Sequence, residues 1–159
     1  MSITSVETDY DTLTIRLIAD FDAPIDEVWE LWSDPRKLER WWGPRTHPST
    51  FEKYDLTPGG VVTYFMAAPE GPMWGTWRVT AVDPPTSLEF VNAYAEPDGT
   101  PVADMPIFTA RVRLTDNNGG TRMEIHERFE SREDMEWMVN MGTLDGLQQA
   151  VGQIDRLLA

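Results

Sequence analysis

The stretch "IFTARVRLTDNNGGTRMEIHERF", Ile107 to Phe129, constrains the fold of this chain most tightly. Asn118-Gly119 supplies two residues that tolerate positive φ, as a two-residue type I′ turn requires. Centring the turn there sets Val112 opposite Ile125 and Leu114 opposite Met123, with Arg113 opposite Glu124 and Arg111 opposite His126. Apolar side chains meet on one face of the ribbon and polar ones on the other. A slip of one residue would turn the whole apolar set into water, so the register is self-consistent. One face of this hairpin has to be covered, and the rest of the chain must supply the cover.

More strands precede it. "STFEKYDL", "VVTYFMAA", "MWGTWRVTAV" and "SLEFVNAY" are separated by "TPGG", "PEGP" and "DPP". Short strands with turn chemistry every ten or so residues predict an antiparallel meander. "LTIRLIADF", Leu13 to Phe21, places its apolar residues on odd positions and is a further strand with one buried face. The polar start before it, "SITSVETDYDT", is assigned no element. "AEPDGTPVADMP", Ala95 to Pro106, reads as a longer polar loop able to cover an opening.

The cover is helical. In "DAPIDEVWELWSD" Pro24 suits a helix start, and Ile25, Val28, Trp29 and Trp32 share a face. Pro35 opens a second short helix, "PRKLERWW", which Gly43-Pro44 stops. Ser131 with Asp134 resembles a capping box. Behind it, Met135, Met138 and Val139 begin an apolar stripe that Leu144, Leu147, Val151, Ile154 and Leu158 continue. Gly142, Gly146 and Gly152 cost about 1 kcal/mol each against Ala in a helix, which suggests a break near Gly142 and a close approach of the last helix to the sheet. A terminal helix of roughly 16 residues would span about 24 Å. The expectation is one α+β domain over residues 1–159: one strand, two short helices, about six strands and a long C-terminal helix, with the helices on one sheet face.

Composition narrows the function classes. The formal net charge is −14, a field that repels duplex nucleic acid and anionic membranes. There is no cysteine, which excludes disulfides, thiolate metal sites and a cysteine nucleophile. The start has no basic-then-apolar pattern and no apolar run approaches the length of a span, so no membrane insertion and a cytoplasmic location are expected. His47 and His126 are the only histidines and stand apart, so no metal site is expected. No phosphate-binding, dinucleotide or nucleophile-elbow motif is present, and no cofactor is expected. The 7 Trp and 8 Met are rich for this length, and suit either a dense core or an adaptable pocket.

"FDAPIDEVWELWSDPRKLERWWGP", Phe21 to Pro44, resembles the opening of START-like (SRPBCC) proteins, in the group similar to the C-terminal domain of the activator of heat-shock-protein-90 ATPase. "DLTPGG", "DPPTSLEF" and "MGTLDGLQQAVGQIDRLL" resemble later pieces of that group in the same order, while Met73 to Pro85 departs in spacing. The resemblance implies a helix-grip fold, in which a curved antiparallel sheet wraps a long C-terminal helix with an apolar cavity between them. It also implies that the two short helices close one end of the groove, so that one of the adjacent Trp41 and Trp42 packs under the sheet and the other caps the cavity mouth. Relatives of this kind bind lipids, sterols, hormones or polyketides, and a few catalyse cyclisation. The family shares no single catalytic motif, so no catalytic residue is carried over.

Strand parity gives a lining for such a cavity. Leu88, Phe90, Asn92 and Tyr94 share one face; Phe108, Ala110, Val112 and Leu114 share another, facing Met123, Ile125 and Phe129, with Met135, Met138 and Leu144 from the helix side. The candidate ligand-binding set is Trp41, Trp42, Phe90, Asn92, Tyr94, Phe108, Met123, Glu127 and Met138. Asn92, Tyr94 and Glu127 are its polar members, and pockets of this kind use a few polar groups to orient an apolar ligand. The expected function is binding of an apolar small molecule. The alternatives are a small cofactor-independent enzyme of cyclase or isomerase type using the same cavity, in which a carboxyl of raised pKa is the general base, or a chaperone-partner domain. The sequence does not give the ligand or the oligomeric state.

Overall fold

In the computed structural model, which describes residues 2–158, the Ile107–Phe129 hairpin turns where its parity demands. Asn118 (φ 56°) and Gly119 (φ 90°) form the turn, and Arg113 pairs with Glu124, Val112 with Ile125 and Leu114 with Met123. The two strands of this hairpin are β7 (Phe108–Asn117) and β8 (Gly120–Phe129). Around them lie β1 (Ile3–Asp9), β2 (Thr14–Phe21), β3 (Ser49–Tyr54), β4 (Val61–Met66), β5 (Met73–Asp83) and β6 (Ser87–Tyr94). All pair antiparallel in one curved eight-stranded sheet of order β1-β2-β8-β7-β6-β5-β4-β3. With its helices on the concave face, this is the helix-grip α+β architecture.

Strand β1 was not expected, and it raises the strand count to eight. It is an edge strand whose residues are mostly half-buried or exposed, so it lacks the apolar alternation that marks β2. Backbone pairing holds it there, from Asp9↔Thr14 to Ile3↔Ala19. Ser2 continues the attachment: its carbonyl accepts from Asp20 N at 2.9 Å and its hydroxyl donates to Asp155 Oδ2 at 3.1 Å.

The helices follow the sequence pattern with shorter bounds. Helix α1 (Ile25–Ser33) buries Val28, Trp29, Leu31 and Trp32. Helix α2 (Pro35–Leu38) is capped by Asp34, whose carboxylate accepts from Arg36 N. It ends at Leu38 rather than at Trp42; residues 39–41 continue as turns and the chain bends at Trp42. Ser131 caps α3 (Arg132–Asn140) by accepting from Asp134 N at 3.1 Å. The C-terminal helix is segmented. Gly142, at φ 94°, breaks α3 from α4 (Thr143–Gly152), a conformation that costs other L residues about 1–2 kcal/mol. Gln153 then separates α4 from α5 (Ile154–Leu158).

The core lies between this helical layer and the inner sheet face, and includes Ile15, Leu17, Val28, Trp32, Trp77, Val112, Met123 and Val151. The Ala95–Pro106 loop does not reach it. Gly99 packs on the Thr63 side chain, which has the opposite parity to core residues Val62 and Tyr64. The loop therefore covers the outer face of β4. No helix among the described residues is long and apolar enough to cross a membrane.

Candidate functional site

Trp41 and Trp42 separate into two roles because they sit in a turn, where neighbours need not share a face. Trp41 is buried under the helices and donates its indole N–H to Leu31 O at 2.9 Å. Trp42 swings to the centre of an aromatic cluster, edge-on to Trp41 (5.7 Å between ring centroids), Trp77 (5.0 Å), Trp32 (5.9 Å) and Tyr64 (6.1 Å). Edge-to-face pairs of this kind contribute roughly 0.5–1.5 kcal/mol each beyond area burial. Gln153 ties the turn to the terminal helix by donating to Gly43 O at 2.8 Å and Trp41 O at 3.3 Å.

The outer side of this cluster is one wall of a cavity of about 300 Å³ between α3–α4 and the sheet. Trp42, Gly43, Pro44 and His47 form one end. Strands β4 and β5 add Tyr64, Met66, Met73, Trp74 and Gly75, and β6 adds Asn92 and Tyr94. Phe108 of β7 and Glu127 of β8 come from the sheet's middle. Met138, Met141, Gly146, Leu147 and Ala150 cover it from the helices. Gly146 was read as a close approach of helix to sheet, but a Cβ built there meets nothing within 4 Å, so the glycine leaves space instead.

Six of the nine residues singled out from the sequence line this cavity: Trp42, Asn92, Tyr94, Phe108, Glu127 and Met138. Trp41, Phe90 and Met123 do not. Phe90 is stacked on Trp77 at 4.0 Å and 15°, one layer behind the wall. Met123 is fully buried under Trp32, whose indole N–H points at its sulfur at 3.4 Å. Phe90 and Met123 have inward parity, but parity cannot separate a wall from the core beneath it; Trp41 lies in the turn after α2 and packs into the core. Tyr64, Trp74 and Gly75 were missed. The Val62–Tyr64–Met66 alternation was there to be read, and a glycine within a strand signals close approach. At Gly75 a Cβ would stand 2.4 Å from Tyr64 Cζ, so the glycine makes room for that ring.

Glu127 is the chemical singularity of the wall. The alternation Met123-Ile125-Glu127-Phe129 turns it inward, where it is 3% exposed between Ile15 of β2 and Ala110 of β7. Its Oε1 has no hydrogen-bond partner. Burial alone pushes its carboxyl up to about 8. Desolvation disfavours the charged form, and no cation among the described residues offsets it. Tyr64 donates to Asn92 Oδ1 at 3.1 Å, and burial pushes its hydroxyl up to about 12. The indole N–H groups of Trp42 and Trp77 lie towards that oxygen and oppose the shift, without reaching hydrogen-bonding geometry. Burial likewise raises the Tyr94 hydroxyl.

His126 lies on the outer sheet face and His47 at the cavity's edge. Among the described residues no cluster of three or more His, Cys, Asp or Glu is placed to hold a metal. The site as built can enclose an apolar body and exchange one proton or hydrogen bond with it.

Comparison with known proteins places these features in a family. The family model described as "Activator of Hsp90 ATPase homolog 1-like protein" matches residues 22–159. The crystal structure of protein Ms6760 from Mycobacterium smegmatis is 42% identical, with 99% of this chain and 97% of that chain covered, at a TM-score of 0.91. A solution structure of a protein from Arthrobacter aurescens is 41% identical over 99% and 92% of the two chains, at a TM-score of 0.93. The AHSA1 protein from Silicibacter pomeroyi, 21% identical over 91% and 96% at a TM-score of 0.72, shares the fold. No curated protein matches the chain.

Proposed function

The chain belongs to the activator of Hsp90 ATPase homolog 1-like family, and on that premise we propose that it binds an apolar small molecule in the cavity between α3–α4 and the sheet. The observation that carries this reading is a mainly apolar cavity of about 300 Å³ with one buried, unpartnered carboxyl in its wall. A volume near 300 Å³ is at the small end of ligand pockets, and an apolar wall with few polar groups is their usual chemistry. Four methionines, Met66, Met73, Met138 and Met141, give the wall side chains that adapt to an irregular ligand. A ligand of about 20 heavy atoms at roughly 0.3 kcal/mol per atom would bind with about 6 kcal/mol, a Kd on the order of tens of micromolar.

Aminoanthracene, a neutral aromatic whose emission rises in apolar surroundings, tests the reading. The wild-type protein should enhance and saturate its fluorescence. Gly146→Leu should fill the space that Gly146 leaves open, weaken binding at least about tenfold, and keep or raise stability by up to about 1 kcal/mol, because Leu is the better helix former. Equal enhancement by wild type and Gly146→Leu would contradict a ligand in this cavity.

The same carboxyl favours a second reading, proton transfer to or from the bound molecule. A general acid–base works best with a pKa close to the working pH, and burial holds Glu127 at about 8. Recovery of a chemically altered ligand after incubation, absent with Glu127→Gln, would separate catalysis from binding.

A further inference from the structure

The cavity wall is electrically one-sided. Among the described residues it contains no Lys and no Arg; its titratable groups there are Glu127, His47, Tyr64 and Tyr94. Five aromatic residues, Trp42, Tyr64, Trp74, Tyr94 and Phe108, take part in the same wall. The chain around it carries a net charge of −14. Glu127 has a cavity-facing position, an unpartnered Oε1, and uncharged cross-strand neighbours in Ile15 and Ala110.

Three ligand classes meet this wall differently. A carboxylate or phosphate would find no Lys or Arg partner, and would stand beside a buried carboxyl in an acidic protein. A neutral alcohol or ketone would gain hydrogen bonds but no charge pairing. A cation would gain a partner for the orphaned carboxyl oxygen, the faces of aromatic rings that attract positive charge, and the protein's overall field. Building on the binding function proposed above, we propose that the ligand is an apolar molecule bearing one protonated amine, whose ammonium pairs with the Glu127 carboxylate inside the aromatic wall.

The proton balance follows. Without a cation beside it, burial keeps the carboxyl largely protonated at neutral pH. An ammonium alongside favours the ionised form, so the carboxyl loses its proton to solvent as the pair forms and the amine keeps its own. Amine binding therefore releases close to one proton per site. Its affinity rises with pH through the carboxyl's titration and falls again once the amine itself deprotonates. His47, Tyr64 and Tyr94 are the other titratable groups of the wall.

The test uses three probes with one apolar body: naphthylethylamine, naphthylethanol and naphthylacetate. Each is titrated calorimetrically at neutral pH into wild type and Glu127→Gln, in two buffers of different ionisation enthalpy. The amine should bind wild type at least about tenfold more tightly than the alcohol, a gap of about 1.4 kcal/mol, and the acetate should bind most weakly. Only the amine should release a proton. In Glu127→Gln the preference for the amine over the alcohol should disappear. Alcohol binding equal to amine binding in wild type would overturn the amine proposal and leave cavity binding standing, as would an amine preference that survives in Glu127→Gln. Failure of all three probes to bind wild type would overturn both. The wild-type comparison and the proton count decide the proposal even if the variant does not fold.

Discussion

At the scale of single residues, the molecule puts one carboxyl where carboxyls are expensive. Glu127 is held protonated by burial, so its folded-state pKa of about 8 lies above its ordinary value of 4.5. The folded protein then binds more protons than the unfolded chain between those values. This contribution to stability is fully present below about 4.5, is lost as pH rises toward about 8, and is flat beyond. The slope approaches about 1.4 kcal/mol per pH unit, on the order of 5 kcal/mol in total. Urea unfolding across that range should show wild type losing stability with rising pH while Glu127→Gln does not, making the variant the more stable protein at the alkaline end. Parallel pH profiles would contradict a buried, uncompensated carboxyl. The carboxylates that Arg122 and Arg16 hold below the usual range, Asp20 and Glu124, act under more acidic conditions, and His126, held below its ordinary value by burial, contributes equally to wild type and variant. The Trp41–Trp42 pair belongs to the same scale: one ring completes the core, and the next turns that core's edge into a cavity wall.

At the scale of elements, the cavity depends on what β4 and β5 leave out. Gly75 pairs with Tyr64, whose ring occupies the place a Cβ would take. Gly75→Ala should displace the ring, cost about 1–3 kcal/mol by overpacking, and weaken aminoanthracene binding by disturbing the Tyr64–Asn92 pair. Thermal melting with a binding titration checks both parts; a variant with unchanged melting and affinity would mean the ring has room elsewhere. The strands were legible wherever one face is buried: β2, β6, β7 and β8 alternate, and the Asn118-Gly119 turn set the hairpin register outright. Strand β1 was not, because an edge strand held by backbone pairing needs no alternation. Gly142 announced its break, whereas Gln153 is an ordinary helix residue that carried no signal for the second one. The site was legible to the level of the inward face and no finer. Phe90 and Met123 have the parity of Asn92 and Glu127, and only three-dimensional packing puts the first two behind the wall.

At the scale of the whole molecule, an antiparallel sheet closes around a segmented terminal helix, with a cavity left between Trp42 and the break that separates α3 from α4. Ligand binding as proposed requires that a small apolar molecule occupy this space. The methionines report on it without any mutation. Met66, Met73, Met138 and Met141 line the cavity, while Met123 and Met135 are buried in the core and Met105, in the Ala95–Pro106 loop, is not part of the lining. The most direct measurement is a methyl NMR titration of methionine-methyl-labelled protein with aminoanthracene, with ring-current shifts read at each methyl. Binding in the cavity should give saturable shifts at Met66, Met73, Met138 and Met141, with Met105, Met123 and Met135 nearly unmoved. Shifts confined to Met105, shifts spread evenly over all of these methyls, or no shift at saturating probe would contradict it.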